Sequence, residues 1–274
     1  RYNDGFEEDV PFITLSNGDI MFALSIAETA ETTDAEGVVI PAIPAQQELR
    51  RYTAAGEFVS SHAAERPVSA MQDSDFNVGL VAVGDGYAFM YNTATEVTPE
   101  AGDEGDAPTY TYAVVLDVYD NAHTLTASST WSGRELASNP AMSVNADGNI
   151  NILAEFTLEE SDLVYNDYAN RTYALVATPN GEPVNEVLLT HTYSYHNHIA
   201  QSASGHWLIA FEFGGPDTTA FAVLNSAGEL VAGPQPYTEH EPTEMAALSF
   251  PDGTFGAIYI EDESLAANLQ CITV

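Results

Sequence analysis

The chain has 274 residues, of which 41 are acidic and only six are basic, so its formal net charge is −35. Such a charge repels nucleic-acid phosphates and anionic lipid, which argues against both as partners. Apolar residues make up 45% of the sequence, enough for a sizeable core. No apolar run approaches the roughly 18 residues of a membrane helix. We therefore expect no nucleic-acid binding and no membrane insertion.

The acidity has two interpretations. In salty water counter-ions screen the repulsion between like charges, so the composition favours a soluble, halophilic-like protein. The second interpretation is calcium binding, because carboxylate oxygens are the ligands that calcium prefers. The single cysteine, Cys271, excludes an internal disulfide and is predicted to be a small core residue of the last strand.

Five near-copies of one hairpin pattern run through the chain. The best preserved copy spans Pro140 to Phe156, where two apolar segments flank Asp147-Gly148, a pair suited to a two-residue turn. The hairpin glycines recur at intervals of about 50 to 70 residues. They are Gly18, Gly86, Gly148, Gly205 and Gly253.

A second set of strand–turn–strand segments lies between these hairpins. The segments are Leu49 to Ser61, Tyr112 to Ser129, Tyr173 to Thr190 and Phe221 to Tyr237. Each hairpin and the segment after it make four antiparallel strands, a unit typical of a β-propeller blade. We predict a single domain over residues 1–274, an all-β, five-bladed β-propeller of four-stranded antiparallel blades.

The last unit has only three predicted strands. The segment ahead of Pro11, RYNDGFEEDV, is the expected donor of the fourth, so that the N- and C-terminal segments share one blade. An open blade would leave a bare sheet edge, which proteins avoid. The alternative is a strand donated by a neighbouring molecule, which would give a head-to-tail filament.

The repeat pattern is a proline, an apolar strand, Asp, Asn or Ser before Gly, and a second strand that ends in an aromatic residue. It resembles NHL and BNR-type propeller repeats, and the repeats that accompany calcium-binding adhesins in secreted bacterial proteins. The resemblance implies a propeller located outside the cell or at its surface, but no particular activity. No copy contains the sialidase aspartate box, Ser-x-Asp-x-Gly-x-x-Trp, so sialidase activity does not carry over.

Loop lengths predict the functional face. Tight turns gather at one end of the strands, whereas longer connections, including those that enter the inner strands, gather at the other. Binding residues concentrate on loops held by a rigid scaffold, so the long-loop face is the predicted binding face.

A ring of polar and aromatic residues is predicted at the channel mouth on this face. Aromatic rings stack on sugars while Arg and His orient polar groups, as a carbohydrate pocket requires. The predicted ligand-binding residues are His62, Arg66, Trp131, Arg134, Tyr193, Tyr195, His196, His198, Tyr237, His240 and Glu241.

The same residues allow two other interpretations. A polysaccharide lyase would use His196 or Tyr195 as the base and Arg134 to neutralise a uronate. A metal site would combine His196 and His198 with His240 and Glu241.

Two sets of acidic residues complete the candidates. Glu155, Glu212 and Glu261 recur at the ends of strands, where a pair of carboxylates would suit glycoside hydrolysis. These strand ends are expected to run toward solvent, which argues against that role. Asp103, Glu104 and Asp106 form a weak calcium candidate without the spacing of an EF-hand.

The leading functional prediction is a secreted, non-catalytic protein that binds or self-assembles outside the cell. Its long-loop face would hold a ligand, such as a carbohydrate, or copies of itself. The alternatives are a polysaccharide-active enzyme, as lyase or hydrolase, and a carbohydrate-binding lectin. No cofactor is predicted with the exception of calcium.

Overall fold

The structure is a computed structural model that describes residues 11–26, 32–33, 39–40, 46–64, 77–97, 109–158, 170–191, 194–213, 218–236, 242–261 and 267–272. Within these ranges every regular element is a β-strand. They contain no helix of the length and apolarity needed to cross a membrane.

The first half of the chain forms two four-stranded antiparallel sheets. Sheet 1 has the order β1-β2-β5-β6, with β1 at Phe12–Thr14, β2 at Ile20–Ile26, β5 at Gln46–Tyr52 and β6 at Phe58–Ala64. A separate two-stranded ribbon pairs β3 (Thr32–Thr33) with β4 (Val39–Ile40). Sheet 2 has the order β7-β8-β9-β10, with β7 at Val78–Val83, β8 at Gly86–Val97, β9 at Thr109–Tyr119 and β10 at Leu125–Ser132.

Three further sheets follow in chain order. Sheet 3 comprises β11 (Arg134–Leu136), β12 (Ala141–Val144), β13 (Ile150–Leu158), β14 (Asn170–Ala177) and β15 (Pro183–Thr190). Sheet 4 comprises β16 (Ser194–Gln201), β17 (Trp207–Phe213), β18 (Thr218–Leu224) and β19 (Leu230–Pro236). Sheet 5 comprises β20 (Pro242–Ser249), β21 (Phe255–Glu261) and β22 (Ala267–Ile272).

The prediction of an all-β fold is confirmed, with five antiparallel sheets of three to five strands. Within each sheet the strands pair in chain order, so each sheet is a meander, the arrangement of a propeller blade. Sheet 3 gains its fifth strand because the inner strand is interrupted. Its two parts, β11 and β12, both pair with β13.

Buried apolar clusters join each sheet to the next. Because side chains alternate between the faces of a strand, β13 contributes to two of these clusters. Ile152 packs toward sheet 2 and Leu153 packs toward sheet 4. Met21 and Phe89 meet between sheets 1 and 2, and Phe255 packs between sheets 4 and 5.

One five-residue turn closes most of the hairpins. In the turn at residues 145–149 the amide of Gly148 donates to the carbonyl of Asn145 at 2.9 Å, and the amide of Asn145 donates to the carbonyl of Asn149 at 2.8 Å. The fourth residue has a φ of +83°, where glycine avoids a Cβ clash. The expected two-residue turn is therefore wrong here. In sheet 2 the turn is Gly84-Asp85, so Gly86 begins β8 rather than forming the hairpin.

The connections differ in length more than expected. Short turns do share one end of the sheets, but the connection from sheet 2 to sheet 3 is the single residue Gly133, between β10 and β11. The prediction of long loops before every inner strand is wrong at this position. From Gly133 the chain runs inward as β11, beside β8 and β9 of sheet 2.

Sheet 1, at one end of the series, has an apolar face outside these clusters. On sheet 1 four aromatic rings form a row across the strands, with centroids 5.7 to 5.9 Å apart: Phe12, Phe22, Tyr52 and Phe58. Phe12 is 65% exposed. Cys271 on β22 is also exposed, so the expectation that it is a core residue is wrong, because it lies on the opposite face of the strand from the buried Ile272.

Candidate functional site

A histidine occupies a turn position that glycine fills elsewhere. The turn between β9 and β10, residues 120–124, has the same two hydrogen bonds as the turn at residues 145–149. His123 stands fourth and has a φ of +63°. A non-glycine residue in this conformation costs roughly 1 kcal/mol. That cost suggests that the side chain of His123 has a role that glycine cannot fulfil.

The imidazole of His123 links sheet 1 to sheet 2. Its Nε2 lies 2.9 Å from Oγ of Ser60 on β6, and its Nδ1 lies 3.1 Å from the hydroxyl of Tyr87 on β8. Tyr87 is fully buried, whereas Ser60 and His123 are half-buried. We call these three residues the histidine bridge. The bridge joins the two sheets across their packed interface, beside the tight turn that carries His123.

Further polar and aromatic side chains surround the bridge. The ring of His62 contacts Tyr119 edge-on at 5.6 Å and stacks at 6.4 Å against His123. Arg51 donates through Nε to Asp19 at 2.7 Å and through Nη1 to the carbonyl of Asn121 at 2.7 Å. Arg51 therefore also ties a turn of sheet 1 to the turn that carries His123.

The surroundings shift the protonation of these groups. Burial lowers the pKa of His123, and the nearby charges of Arg51 and His62 lower it further, while Asp120 acts in the opposite direction. Burial raises the pKa of Tyr87, so its phenol keeps its proton. The hydrogen bond from Arg51 lowers the pKa of Asp19. These surroundings therefore favour the neutral form of the imidazole, beside the Arg51 guanidinium and the Tyr87 phenol.

A buried carboxylate lies near the bridge in the same interface. Oδ2 of Asp117 accepts hydrogen bonds from the hydroxyls of Tyr91 at 2.7 Å and Tyr119 at 3.2 Å. Asp117 is 5% exposed. Buried polar groups are costly unless they are hydrogen-bonded, so the three side chains depend on one another. Sequence analysis missed them because a strand pattern does not show which tyrosines face a carboxylate.

Asn92 fixes the chain between sheets 2 and 3. Its side-chain oxygen accepts from the amide of Leu136 at 2.7 Å, and its amide donates to the carbonyl of the same residue at 3.2 Å. Asn77 donates to that carbonyl as well, at 3.0 Å. Asn92 and Leu136 are both almost fully buried. These bonds hold the interrupted inner strand of sheet 3 against sheet 2.

Arg134 and Trp131, two predicted ligand residues, lie between sheets 2 and 3. Arg134 forms an ion pair with Glu186 at 2.8 Å, and its guanidinium lies over the rings of Phe156 and Tyr173, at 5.4 and 5.1 Å. Trp131 packs against the buried cluster of the same two sheets. The structure thus gives Arg134 partners within the fold, and it does not bring either residue together with His62.

The carboxylate of Glu155 is buried, not directed toward solvent. Glu155 is 3% exposed and accepts from Nδ2 of Asn170 at 2.8 Å. The expectation of solvent exposure is wrong because Glu155 lies on the face of β13 that packs against sheet 4. Asn170 also accepts from Thr157, so the potential glycosylation site Asn170-Arg171-Thr172 is engaged within the fold.

The remaining candidates are placed only in part. His198 is half-buried on β16. Tyr195 and His196 are on the same strand, but their side chains lie outside the described residues. Also outside the described residues lie Arg66, Tyr193, Tyr237, His240 and Glu241, the calcium candidates Asp103, Glu104 and Asp106, and the side chains of Glu212 and Glu261. Within the described ranges no three His, Cys, Asp or Glu side chains are placed to hold a metal.

Exposed apolar side chains concentrate on the edges of the sheets. Of the nine large apolar residues exposed within the described ranges, eight lie on the outermost strands β6, β10, β15 and β19 or on the edge strand β22. We call them the apolar edge residues: Phe58, Val59, Leu125, Val184, Leu188, Leu230, Val231 and Leu269. In sheets 1, 2 and 4 they include the first residue of the outer strand, next to the tight turn.

The fold resembles that of known β-propellers. No protein-family model and no curated protein matches the sequence. A Hadza microbial sialidase is similar with a TM-score of 0.56 and 8% identity, over 92% of this chain and 52% of that chain. NanB sialidase from Streptococcus pneumoniae has a TM-score of 0.52 and 7% identity, over 94% of this chain and 59% of that chain.

An apocarotenoid oxygenase from Synechocystis is similar to the same degree. Its TM-score is 0.50 and its identity 9%, over 96% of this chain and 58% of that chain. The chain thus spans between half and three fifths of the length of these structures. At such identities the likeness shows the fold alone, a β-propeller fold of the kind that sialidases and carotenoid oxygenases share.

Proposed function

We propose that the chain is a non-catalytic propeller that self-assembles outside the cell through the edges of its sheets. The apolar edge residues carry this proposal, since they are large apolar side chains exposed on the surface of a chain whose net charge is −35. Outer strands present unpaired backbone groups, and natural proteins usually protect such edges with charge or proline. Large exposed apolar side chains at these edges favour contact with another sheet edge.

Salt should control this association. Copies that carry many negative charges repel each other at low ionic strength, whereas the screening length falls from about 10 Å at 0.1 M to about 3 Å at 1 M salt. We expect light scattering to give the mass of a monomer at low salt and of oligomers at high salt. The triple variant Phe58→Ser, Leu125→Ser, Leu230→Ser should remain monomeric in both.

A matched control separates the edge residues from general surface effects. Ser61, Ser128 and Gln235 are exposed on the same three outer strands, and their replacement by alanine should leave the salt-dependent oligomers unchanged. Equal association of the wild type and the triple variant at high salt would contradict the assembly role. Thermal unfolding would show that all three proteins are folded.

We further propose that the ring of five sheets closes within one chain, with residues 1–10 as the fourth strand of sheet 5. The topology supports this arrangement. In chain order the outer strand of each of sheets 1 to 4 directly precedes the inner strand of the next sheet. By the same pattern, residues 1–10 directly precede β1, the inner strand of sheet 1, and so stand where the outer strand of sheet 5 is expected. Closure would also bring sheet 5 against Phe12 and Phe22, on the inner strands of sheet 1.

Removal of residues 1–9 tests this closure. We expect the truncated chain to unfold at a temperature several degrees lower and to aggregate, because the edge of β22 would lose its partner. A milder variant is Phe6→Pro, which removes one backbone donor, with Phe6→Ala as its control. If the intact chain forms assemblies at low salt and truncation dissolves them, the strand is exchanged between molecules instead.

A further inference from the structure

The histidine bridge holds two segments that carry apolar edge residues. Ser60 follows Phe58 and Val59 on β6, and His123 precedes Leu125 on β10. The contact of 2.9 Å between Ser60 and His123 therefore fixes the outer strand of sheet 1 relative to the outer strand of sheet 2. A change that breaks this contact would let β6 move relative to β10, and with it the apolar edge residues that the two strands carry.

The hydrogen bonds of the bridge require a neutral imidazole. The hydroxyl of Tyr87 is fully buried, and within the described residues Nδ1 of His123 is its hydrogen-bond partner. The phenol proton needs an acceptor, so Tyr87 donates to Nδ1 and Nε2–H donates to Ser60. A protonated imidazole has no acceptor nitrogen. Protonation would leave the proton of Tyr87 buried without a partner.

Charges from every neighbouring element act on this imidazole. Arg51 on β5 and His62 on β6 lie on the sheet 1 side, and both disfavour a second positive charge. Asp120 in the turn favours it. Tyr87 on β8 and Tyr119 on β9 enclose the ring from sheet 2, and Asp117 is bonded to Tyr119. The balance opposes protonation of the closed bridge, so acid favours the open state, in which the imidazole regains its ordinary pKa.

We propose that the histidine bridge is an acid-sensitive contact that sets the relative position of the edges of sheets 1 and 2, and that mild acid releases it and weakens assembly. This inference rests on the proposed function, since it names the regulation of the same edges. The strained turn supports it. A glycine would close the turn without strain but would remove the imidazole that contacts both Ser60 and Tyr87.

Hydrogen–deuterium exchange on dilute, monomeric protein tests the bridge independently of assembly. We expect protection of β6 and of the turn at residues 120–124 to fall about tenfold between about pH 7.5 and 5.5, relative to the hairpin at residues 145–149, which contains no histidine. His123→Gly should show the low protection already at neutral pH. The control His206→Gln changes a turn histidine of sheet 4 and should behave as the wild type does.

Light scattering on the same proteins at high salt tests the regulation. Wild-type oligomers should shrink between pH 7.5 and 5.5, whereas those of His123→Gly should be smaller at both values. Acid also neutralises carboxylates, which would promote association, so the expected direction is specific to the bridge. Unchanged protection in the wild type, or a pH response retained in His123→Gly, would overturn the inference. A wild type that stays monomeric would overturn the assembly role, while exchange still decides the bridge.

Discussion

Replacement of Asn92 by alanine is expected to lower the free energy of unfolding by about 3 kcal/mol, because it leaves the buried amide of Leu136 without an acceptor and removes a second bond. Both bonds join sheet 2 to the interrupted inner strand of sheet 3. Chemical denaturation of the wild type and the variant would measure the loss. We also expect faster hydrogen exchange at residues 134–140.

Asn77 provides the matched comparison. It donates to the same carbonyl and is only half-buried, so Asn77→Ala should cost less than Asn92→Ala. If the two variants lose the same free energy of unfolding, the two bonds of Asn92 do not stabilise the fold more than the bond of Asn77 does. A loss below 1 kcal/mol for Asn92→Ala would mean that β11 finds other partners.

Replacement of Asp117 by alanine should destabilise the chain by about 2 to 4 kcal/mol, because two buried tyrosine hydroxyls lose their acceptor. The hydroxyls of Tyr91 and Tyr119 both donate to one oxygen of Asp117. Denaturation curves would give the value. Asp147→Ala, which removes an exposed turn carboxylate, should stay within about 0.5 kcal/mol of the wild type.

A double-mutant cycle isolates the contact between Asp117 and Tyr91. Tyr91→Phe should be destabilising in the wild-type background and less destabilising in the Asp117→Ala background, where the hydrogen bond to Asp117 is already lost. The coupling is expected at about 1 to 3 kcal/mol. Additive effects would show that the carboxylate is stabilised by other contacts and that the hydroxyl contributes little.

The sequence predicts the strands better than it predicts their surroundings. Alternating apolar residues and turn glycines define five units, because the side chains of a strand alternate between its two faces. The exact turn was missed, since Asp147-Gly148 suits both a two-residue turn and the longer turn observed at residues 145–149. Which of the two forms depends on the strand register, and composition does not specify that register.

For the candidate site, the sequence predicted that histidines and aromatic residues take part, but not where they lie in the fold. His62 was expected beside Arg134 on the long-loop face, whereas it lies with His123 near the tight turns. Its strand, β6, is the outer strand of sheet 1, and there its ring contacts Tyr119 of sheet 2. His123 had one signal in the sequence: three of the four turns of the second set contain glycine, and this turn has histidine in its place.

The pairing of strands in chain order has a consequence for folding kinetics. Every strand of the five sheets pairs with neighbours close in sequence, so each sheet can form locally, and short loops close quickly. In the proposed closed ring, the last contact joins segments more than 200 residues apart. Closure of that long loop should be the slow step, and chains as they leave the ribosome would complete sheets 1 to 4 before it occurs.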